Sequence, residues 1–359
     1  MSESTTQNYN HLKIHSQYSI CEGAIKIDDL KEFSKTNKIQ SLGLSDTTNL
    51  CGALEFAEKI SKVGTQPIIG TQINFKFSDT VGLLPLFALD EEGYKRIIKL
   101  SSFSFLNNDE LSEPHLDFNE LLEDTHGVAI LSGTIFGLFG QLFDKGKFTE
   151  IKDLYNKLKE KFGDRFYLEI QRHNDQNELS FEKFNLKKSL ELSIPLIATN
   201  EVFYLNKDMH EAHDALICIG RKTYINDKTR KRYSDQHYLK SNLEMAELFS
   251  DLPEALENNY NFPLRCNFRP LFSNPILPNI SSEKGGNADD ILRKDSLHGL
   301  KDKFHKVFGI KNNEIENNNI FLKYKDRLDH ELSIIIEMKY ASYFLIVSDY
   351  IKWAKNNDI

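Results

Sequence analysis

The 359-residue chain is 40% hydrophobic and 27% charged, with only 9 Pro and 18 Gly, a globular composition that excludes fibrous and disordered classes and leaves room for a sizeable core. Its formal charge of −8 gives no net field to attract a phosphate backbone, so any nucleic-acid contact has to be a local patch. No stretch approaches a membrane span, residues 1–10 lack the apolar core of a signal peptide, and Cys21, Cys51, Cys218 and Cys266 form no Cys-x-x-Cys pair; the chain reads as cytoplasmic, with ordinary reduced thiols.

Residues 1–10 are polar and read as a flexible tail. From His11 to Leu205 one theme repeats, a short apolar run, a polar loop and a segment of helical spacing. The runs are 11–14, 41–44, 67–69, 83–89, 128–131, 165–170 and 195–198. Helical spacing follows at 27–34, 150–161, 180–192 and 208–219, and most clearly after the second run, where Asn49 is an N-cap candidate, Leu50, Ala53, Leu54 and Ala57 share a face, and Gly64 marks the end. Strand–helix alternation of this kind predicts an α/β fold, and about seven units with right-handed crossovers favour a closed parallel barrel over an open sheet.

In such a barrel the site lies where strands end. The residues just past the runs are His15, Glu22, Asp46, Thr47, Gln72, Thr134, His173, Glu201 and Phe203. Any one of them is more simply a place where the chain turns polar, and only the ensemble argues for a site.

After Tyr204 and a helix at 208–219 comes a basic loop in which Arg221, Lys222, Arg230, Lys231 and Arg232 accompany Tyr224 and Tyr233. Cations and aromatic faces together are candidates for holding phosphates and stacking a base, although the bland reading, a solvated loop, suits a net negative chain better. A helix at 242–249 leads to a Pro-containing stretch, 269–278, and a polar candidate linker, 281–288. Residues 312–319 read as an exposed loop. The last segment carries apolar residues at three- and four-residue spacing from Leu332 to Ala354 and stops at Ile359 without a cap, which predicts continuation into a larger domain.

Several phrases carry a resemblance: HLKIHSQYS, LSDTTNLCGALEF, PIIGTQI, IPLIATNEVFY, HYLKSNLEMAELFSDLPEALEN and YASYFLIVSDYIKWAKNN. Together they resemble the N-terminal region of the alpha subunit of bacterial replicative DNA polymerase III, most strongly at 11–72, 195–268 and 324–359. The resemblance implies a polymerase-and-histidinol-phosphatase (PHP) domain over 11–275, a distorted (βα)7 barrel, then a linker and the mainly helical N-terminal part of the polymerase palm over 276–359. It also implies a metal pattern. The opening His-x-His falls on Lys13 and His15, and the loop aspartate on Glu22. The histidine of Thr-Asp-His-Gly falls on Thr47, a glutamate on Gln72, a cysteine or histidine on Thr134, a histidine on His173, and the final Asp-x-His on Glu201 and Phe203. Two ligands match, two keep a carboxylate and five are lost.

Thr and Phe cannot replace water around a dication, and neutral Gln is a weak donor. An inward Lys13 would repel a dication by up to about 8 kcal/mol at about 4 Å and an effective dielectric near 20, or pair instead with Glu22, Asp46 or Glu201. The expectation is therefore a degenerate site with no tightly bound metal or other cofactor. The resemblance further implies a docking role for the barrel toward a separate proofreading exonuclease and other replicase subunits. DNA contact and polymerase chemistry with Mg²⁺ belong to the full-length protein and its palm aspartates, which this chain lacks, so the chain alone is expected to be inactive. The alternative is a metal-dependent PHP phosphoesterase or 3′–5′ exonuclease, which leaves the last helical segment unexplained.

Overall fold

The computed structural model describes residues 9–108, 112–230, 232–273, 287–310 and 312–359. The chain divides into two compact units, Met1–Phe272 and Ser273–Ile359. The strands of the first unit are β1 (Lys13–Ile14), β2 (Ser41–Thr47), β3 (Gln66–Phe77), β4 (Thr80–Ala88), β5 (Leu116–Asp117), β6 (Val128–Leu131), β7 (Phe166–Ile170), β8 (Leu196–Ala198) and β9 (Glu201–Val202). Strands β2, β3, β4, β6, β7 and β8 are neighbours in that order, while β5 pairs with the far end of β3. β8 and β9, parted only by Thr199 and Asn200, act as one interrupted stave. β9 pairs in parallel with β1, and the Gly43 amide donates to the His11 carbonyl at 2.7 Å, joining β1 to β2. Seven staves thus curl into a barrel closed at a narrow seam.

A Cβ on Gly43 would lie 2.4 Å from the Leu12 carbonyl oxygen. Only glycine lets β1 approach β2 this closely.

The barrel is not all-parallel, as the strand–helix alternation suggests. β4 runs antiparallel to both β3 and β6. β3 returns into β4 through Ser78 and Asp79, with Ser78 in the left-handed region at φ 56°, so a tight turn replaces the crossover helix.

The helices outside the barrel are α1 (Ile27–Asn37), α2 (Ala53–Ser61), α3 (Glu91–Leu106), α4 (Phe118–Glu123), α5 (Leu138–Asp144), α6 (Phe148–Phe162), α7 (Glu178–Leu192), α8 (His210–Gly220), α9 (Asn242–Leu248) and α10 (Pro253–Asn261). They bury one face each: α2 turns Ala53, Phe56, Ala57 and Ile60 inward at three- and four-residue spacing. Asn49 does not cap it. Its side chain donates to the Tyr18 and Thr47 carbonyls and accepts from the Cys51 amide, tying the loop that precedes the helix. Tyr9 and Asn10, assigned to a tail by their polar surroundings, are buried. Asn10 exchanges three hydrogen bonds of 2.8–3.0 Å with Asn259 on α10, so this residue is zipped to the barrel; residues 1–8 of the expected tail lie outside the described residues.

Strand alternation builds the interior in layers. Ile68, Phe87, Leu131, Tyr167 and Ile197 form an apolar floor, closed by Phe262, whose ring meets Phe87 edge-on at 5.4 Å. Two residues further along the same strand faces stand Gly70, Glu169 and Thr199, and four further Gln72, Gln171 and Glu201. The sequence period that makes the core below therefore makes a buried polar layer above.

The second unit contains α11 (Ala288–Phe308), α12 (Asn312–Ile315), α13 (Asn319–Glu337) and α14 (Ala341–Asn356). Leu292, Leu332, Ala341 and Leu345 form one cluster, and Phe304, Ile315 and Phe321 a second. The polar run 312–319 is not simply an exposed loop, because Ile315 is fully buried in it and Asn318 caps α13 by accepting from the Ile320 and Phe321 amides. The expected last helix breaks at Lys339, whose φ is 61°. Most of the candidate linker 281–288 lies outside the described residues, and α11 has begun by Ala288. Among the described residues no helix is long and apolar enough to cross a membrane.

Candidate functional site

The strand ends at one mouth of the barrel converge on a fully buried ammonium. Lys13 Nζ lies 2.5 Å from Glu201 Oε2 and 3.1 Å from Glu169 Oε1. Of the three carboxylates that the sequence offers to Lys13, the ammonium takes Glu201. Its second partner is Glu169, which the sequence reading passes over. Burial opposes the charge on Lys13, but Glu169 and Glu201 outweigh it and raise its pKa. Burial likewise acts to raise Glu201, yet Lys13 and His15 hold it well below the usual carboxylate range. Glu169 is raised, by burial first and by Glu201 beside it, with Lys13 opposing. Glu201 is thus the principal counter-charge, and Glu169 rests on neutral donors: Gln171 Nε2 at 2.8 Å and a short bond from the Thr199 hydroxyl.

The other predicted positions surround this pair. His15 Nε2 is 2.5 Å from Glu201 Oε1, and its Nδ1 faces the hydroxyls of Ser19 at 3.2 Å and Thr47 at 3.3 Å. Burial works to lower its pKa, but the bond to Glu201, with the charges of Glu201, Glu22 and Asp46, raises it. Gln72 donates a short bond to Glu201, so the neutral amide stands as a donor on the carboxylate. Thr47 donates to Glu22. Asp46 does not reach Lys13; it accepts from the Ser16 amide at 2.7 Å and the Ser16 and Ser19 hydroxyls at 2.8 and 2.7 Å, and burial raises its pKa. Phe203 lays its ring 4.5 Å from that of His15. Thr134 stands apart, lining a cleft of about 40 Å³ over the mouth and accepting from the Phe136 amide.

His173 sits at the rim. Its Nε2 is 3.0 Å from Asn200 Oδ1, its Nδ1 3.2 Å from Glu178 Oε1, and its ring stacks on His237 at 4.1 Å and 3°. Burial lowers its pKa far below the ordinary value, and raises that of Glu178 to about 7. Glu169, Gln171, Asp175, Glu178 and His237 are missing from the sequence-derived set. The first two carry a legible signal, a Tyr-x-Glu-x-Gln alternation on an otherwise apolar strand. His237 carries none, since it comes from an irregular segment beyond the last stave, held by the Phe203 amide donating to its carbonyl.

The expected basic patch is only partly available. Arg230 is clamped bidentately to Asp214, both bonds 2.6 Å, and Arg232 Nε lies 3.4 Å from the same carboxylate. Arg221 and Lys222 are exposed, and Lys231 lies outside the described residues.

The donor set does not fit a multinuclear metal centre at the family's positions. An ammonium fills the space between the two deepest carboxylates, an aromatic ring replaces an imidazole, and three further positions present neutral oxygen or amide groups.

Residues 11–173 match the PHP domain, and residues 290–359 match the bacterial DNA polymerase III alpha NTPase domain. Among similar proteins, the DNA polymerase III subunit alpha of Rickettsia conorii is 40% identical over 351 residues, covering 97% of this chain and 30% of that protein. That of Caulobacter vibrioides is 36% identical over 372 residues, covering 100% and 31%, and that of Pseudomonas aeruginosa is 33% identical over 358 residues, covering 99% and 30%. The chain spans about three tenths of the length of these relatives.

Proposed function

We propose, from the match of residues 11–173 to the PHP domain and of residues 290–359 to the bacterial DNA polymerase III alpha NTPase domain, that the chain serves as the N-terminal platform of a replicative DNA polymerase. In this reading nucleotide transfer, with its Mg²⁺ ions and primer–template DNA, belongs to the whole subunit. Paired carboxylates that hold two metal ions are the requirement of that chemistry. The 359-residue chain alone is then inactive in primer extension, and nucleotide incorporation by the purified chain would overturn the assignment.

The barrel, we infer, has exchanged catalysis for support. The observation that carries this is the Lys13 ammonium held between Glu169 and Glu201, both within 3.1 Å. That charge opposes a cluster of dications at the positions around it, and with it the water that such a cluster would activate. The proposed domain limits are a PHP unit to about residue 275 and the polymerase part beyond it. Phosphoesterase and 3′–5′ exonuclease assays with Mn²⁺ or Zn²⁺ test the reading. Turnover that disappears in His15→Ala, or two to three equivalents of metal lost in the same variant, would restore the catalytic alternative.

The support role extends to a separate proofreading exonuclease and other replicase subunits as binding partners. Co-purification of residues 1–275 with the matching exonuclease is the expected result, and its failure with the whole chain removes the docking role.

A further inference from the structure

We propose that His173, Asp175 and His237 form a site for a single divalent transition-metal ion, zinc(II) or cobalt(II) in class, at the rim of the barrel; His173 is an inherited position of the degenerate pattern, whereas Asp175 and His237 are not. One donor atom from each residue lies within 4.8 Å of the other two. His237 Nε2 is already 3.0 Å from Asp175 Oδ2, and both imidazoles are at least nine-tenths buried. Two imidazoles and one carboxylate are the borderline donors that zinc and its neighbours take, and a three-residue set leaves a position for water.

A second observation is the charge of the adjoining cleft. Glu22, Asp175, Glu178 and Glu201 line it together with His15 and His237, and among the described residues no lysine or arginine does. Lys13 lies behind Glu201, whose carboxylate it neutralises at 2.5 Å. The cleft therefore carries an excess of acidic side chains beside Asp175 and His237, the two donors that line it, which favours a bound cation. His173 stands behind them, and the Lys240 ammonium, 3.1 Å from the Asn200 Oδ1 that His173 also meets, is the opposing charge an ion has to overcome.

The stack defines what binding requires. With the rings 4.1 Å apart and parallel within 3°, their lone pairs lie in two parallel planes. Metal–nitrogen bonds of about 2.0–2.1 Å need both lone pairs aimed at one point, so one ring has to turn about its Cβ–Cγ bond as the ion enters. This lowers affinity relative to a preformed site without removing it. Because His237 belongs to the segment beyond the last stave, an ion would tie that segment to the loop after β7.

Titration of the chelator-treated full chain with cobalt(II), followed by the visible ligand-field band and by calorimetry, tests the site. One equivalent is expected. His237→Gln and Asp175→Asn should each weaken binding by about tenfold or more, while Glu22→Gln, at an inherited position of the degenerate pattern, leaves the band in place. Circular dichroism on His237→Gln confirms that the variant is folded. The proposal is overturned by absence of a cobalt band, by binding that His237→Gln leaves unchanged, or by loss of the band in Glu22→Gln rather than His237→Gln.

Discussion

Replacing Lys13 by Met removes one positive charge from a fully buried site and keeps most of the volume. At an effective dielectric near 20, contacts of 2.5 and 3.1 Å correspond to roughly 7 and 5 kcal/mol of gross attraction. Most of this offsets the desolvation of three ions, and the measurable loss on breaking such a group is about 3–5 kcal/mol. For a unit of this size the melting temperature should drop on the order of 10 °C. The pH dependence is diagnostic. In the native protein Glu201 is held below its unfolded value, so its contribution is present above about pH 4.3 and is lost as pH falls through the folded pKa. In Lys13→Met two carboxylates face each other and at least one folded pKa rises, so stability falls as pH increases through that raised value. The gap between variant and wild type should widen from pH 5 to pH 8 in thermal or urea melts. Adding Glu169→Gln and Glu201→Gln should recover part of the loss, because removing all the charges of a buried group is often close to neutral. A loss below about 1 kcal/mol, or one independent of pH, would refute a central role for this charge.

Burial lifts Glu178 to about 7, so its ionisation weakens the fold as pH rises from its unfolded value through about 7; Glu178→Gln should raise the melting temperature at pH 8 and change little at pH 4. Gln72→Glu replaces a donor on Glu201 with a second carboxylate and should cost about 1–3 kcal/mol at neutral pH, with partial recovery under acid, read from melts at both pH values. Gly43→Ala places a methyl against the Leu12 backbone and should cost about 1–3 kcal/mol by prising the seam between β1 and β2, seen as faster amide exchange of β1. If the basic loop meets DNA in the full polymerase, alanine at Arg221 or Lys222 should each lower the salt dependence of binding by about one unit. Arg230→Ala should not, because Asp214 occupies that guanidinium, and an equal effect from Arg230 in a salt titration would contradict the assignment.

How much was legible in the sequence follows from the range of each signal. The apolar runs locate the principal staves because strand alternation is local, and α1, α2, α6, α7 and α8 follow from helical spacing of the same kind. The antiparallel β4 was hidden because its turn uses Ser78 at positive φ, where glycine or asparagine would have announced a hairpin. The site divides in the same way. His15, just past β1, and Glu201, which opens β9, are legible as strand-end residues, and Gln72, expected just past a run at 67–69, lies within the longer β3, whereas the Lys13–Glu169 contact joins residues 156 positions apart and exists only once the barrel closes. Asn10 on Asn259 is a similar case, a polar residue in polar sequence whose burial depends on a helix 249 residues away.

The substitutions around Lys13 make physical sense as one change rather than five. A cluster of two or three dications would bring four to six positive charges into the barrel, which an array of carboxylates and imidazoles balances. A single ammonium brings one, so acidic ligands that no longer have a cation would repel one another in a buried space. The chain shows that adjustment at the positions nearest Glu201. The glutamate that the family pattern places after Ile-Ile-Gly is Gln72 here, and it donates to Glu201 instead of competing with it. The histidine of the final Asp-x-His is Phe203, which packs on His15 and needs no ion to satisfy it. On the pattern that the resemblance implies, Lys13 therefore does more than occupy a ligand position: its fixed charge of +1 is the counter-charge for the two carboxylates within its reach, Glu201 and Glu169.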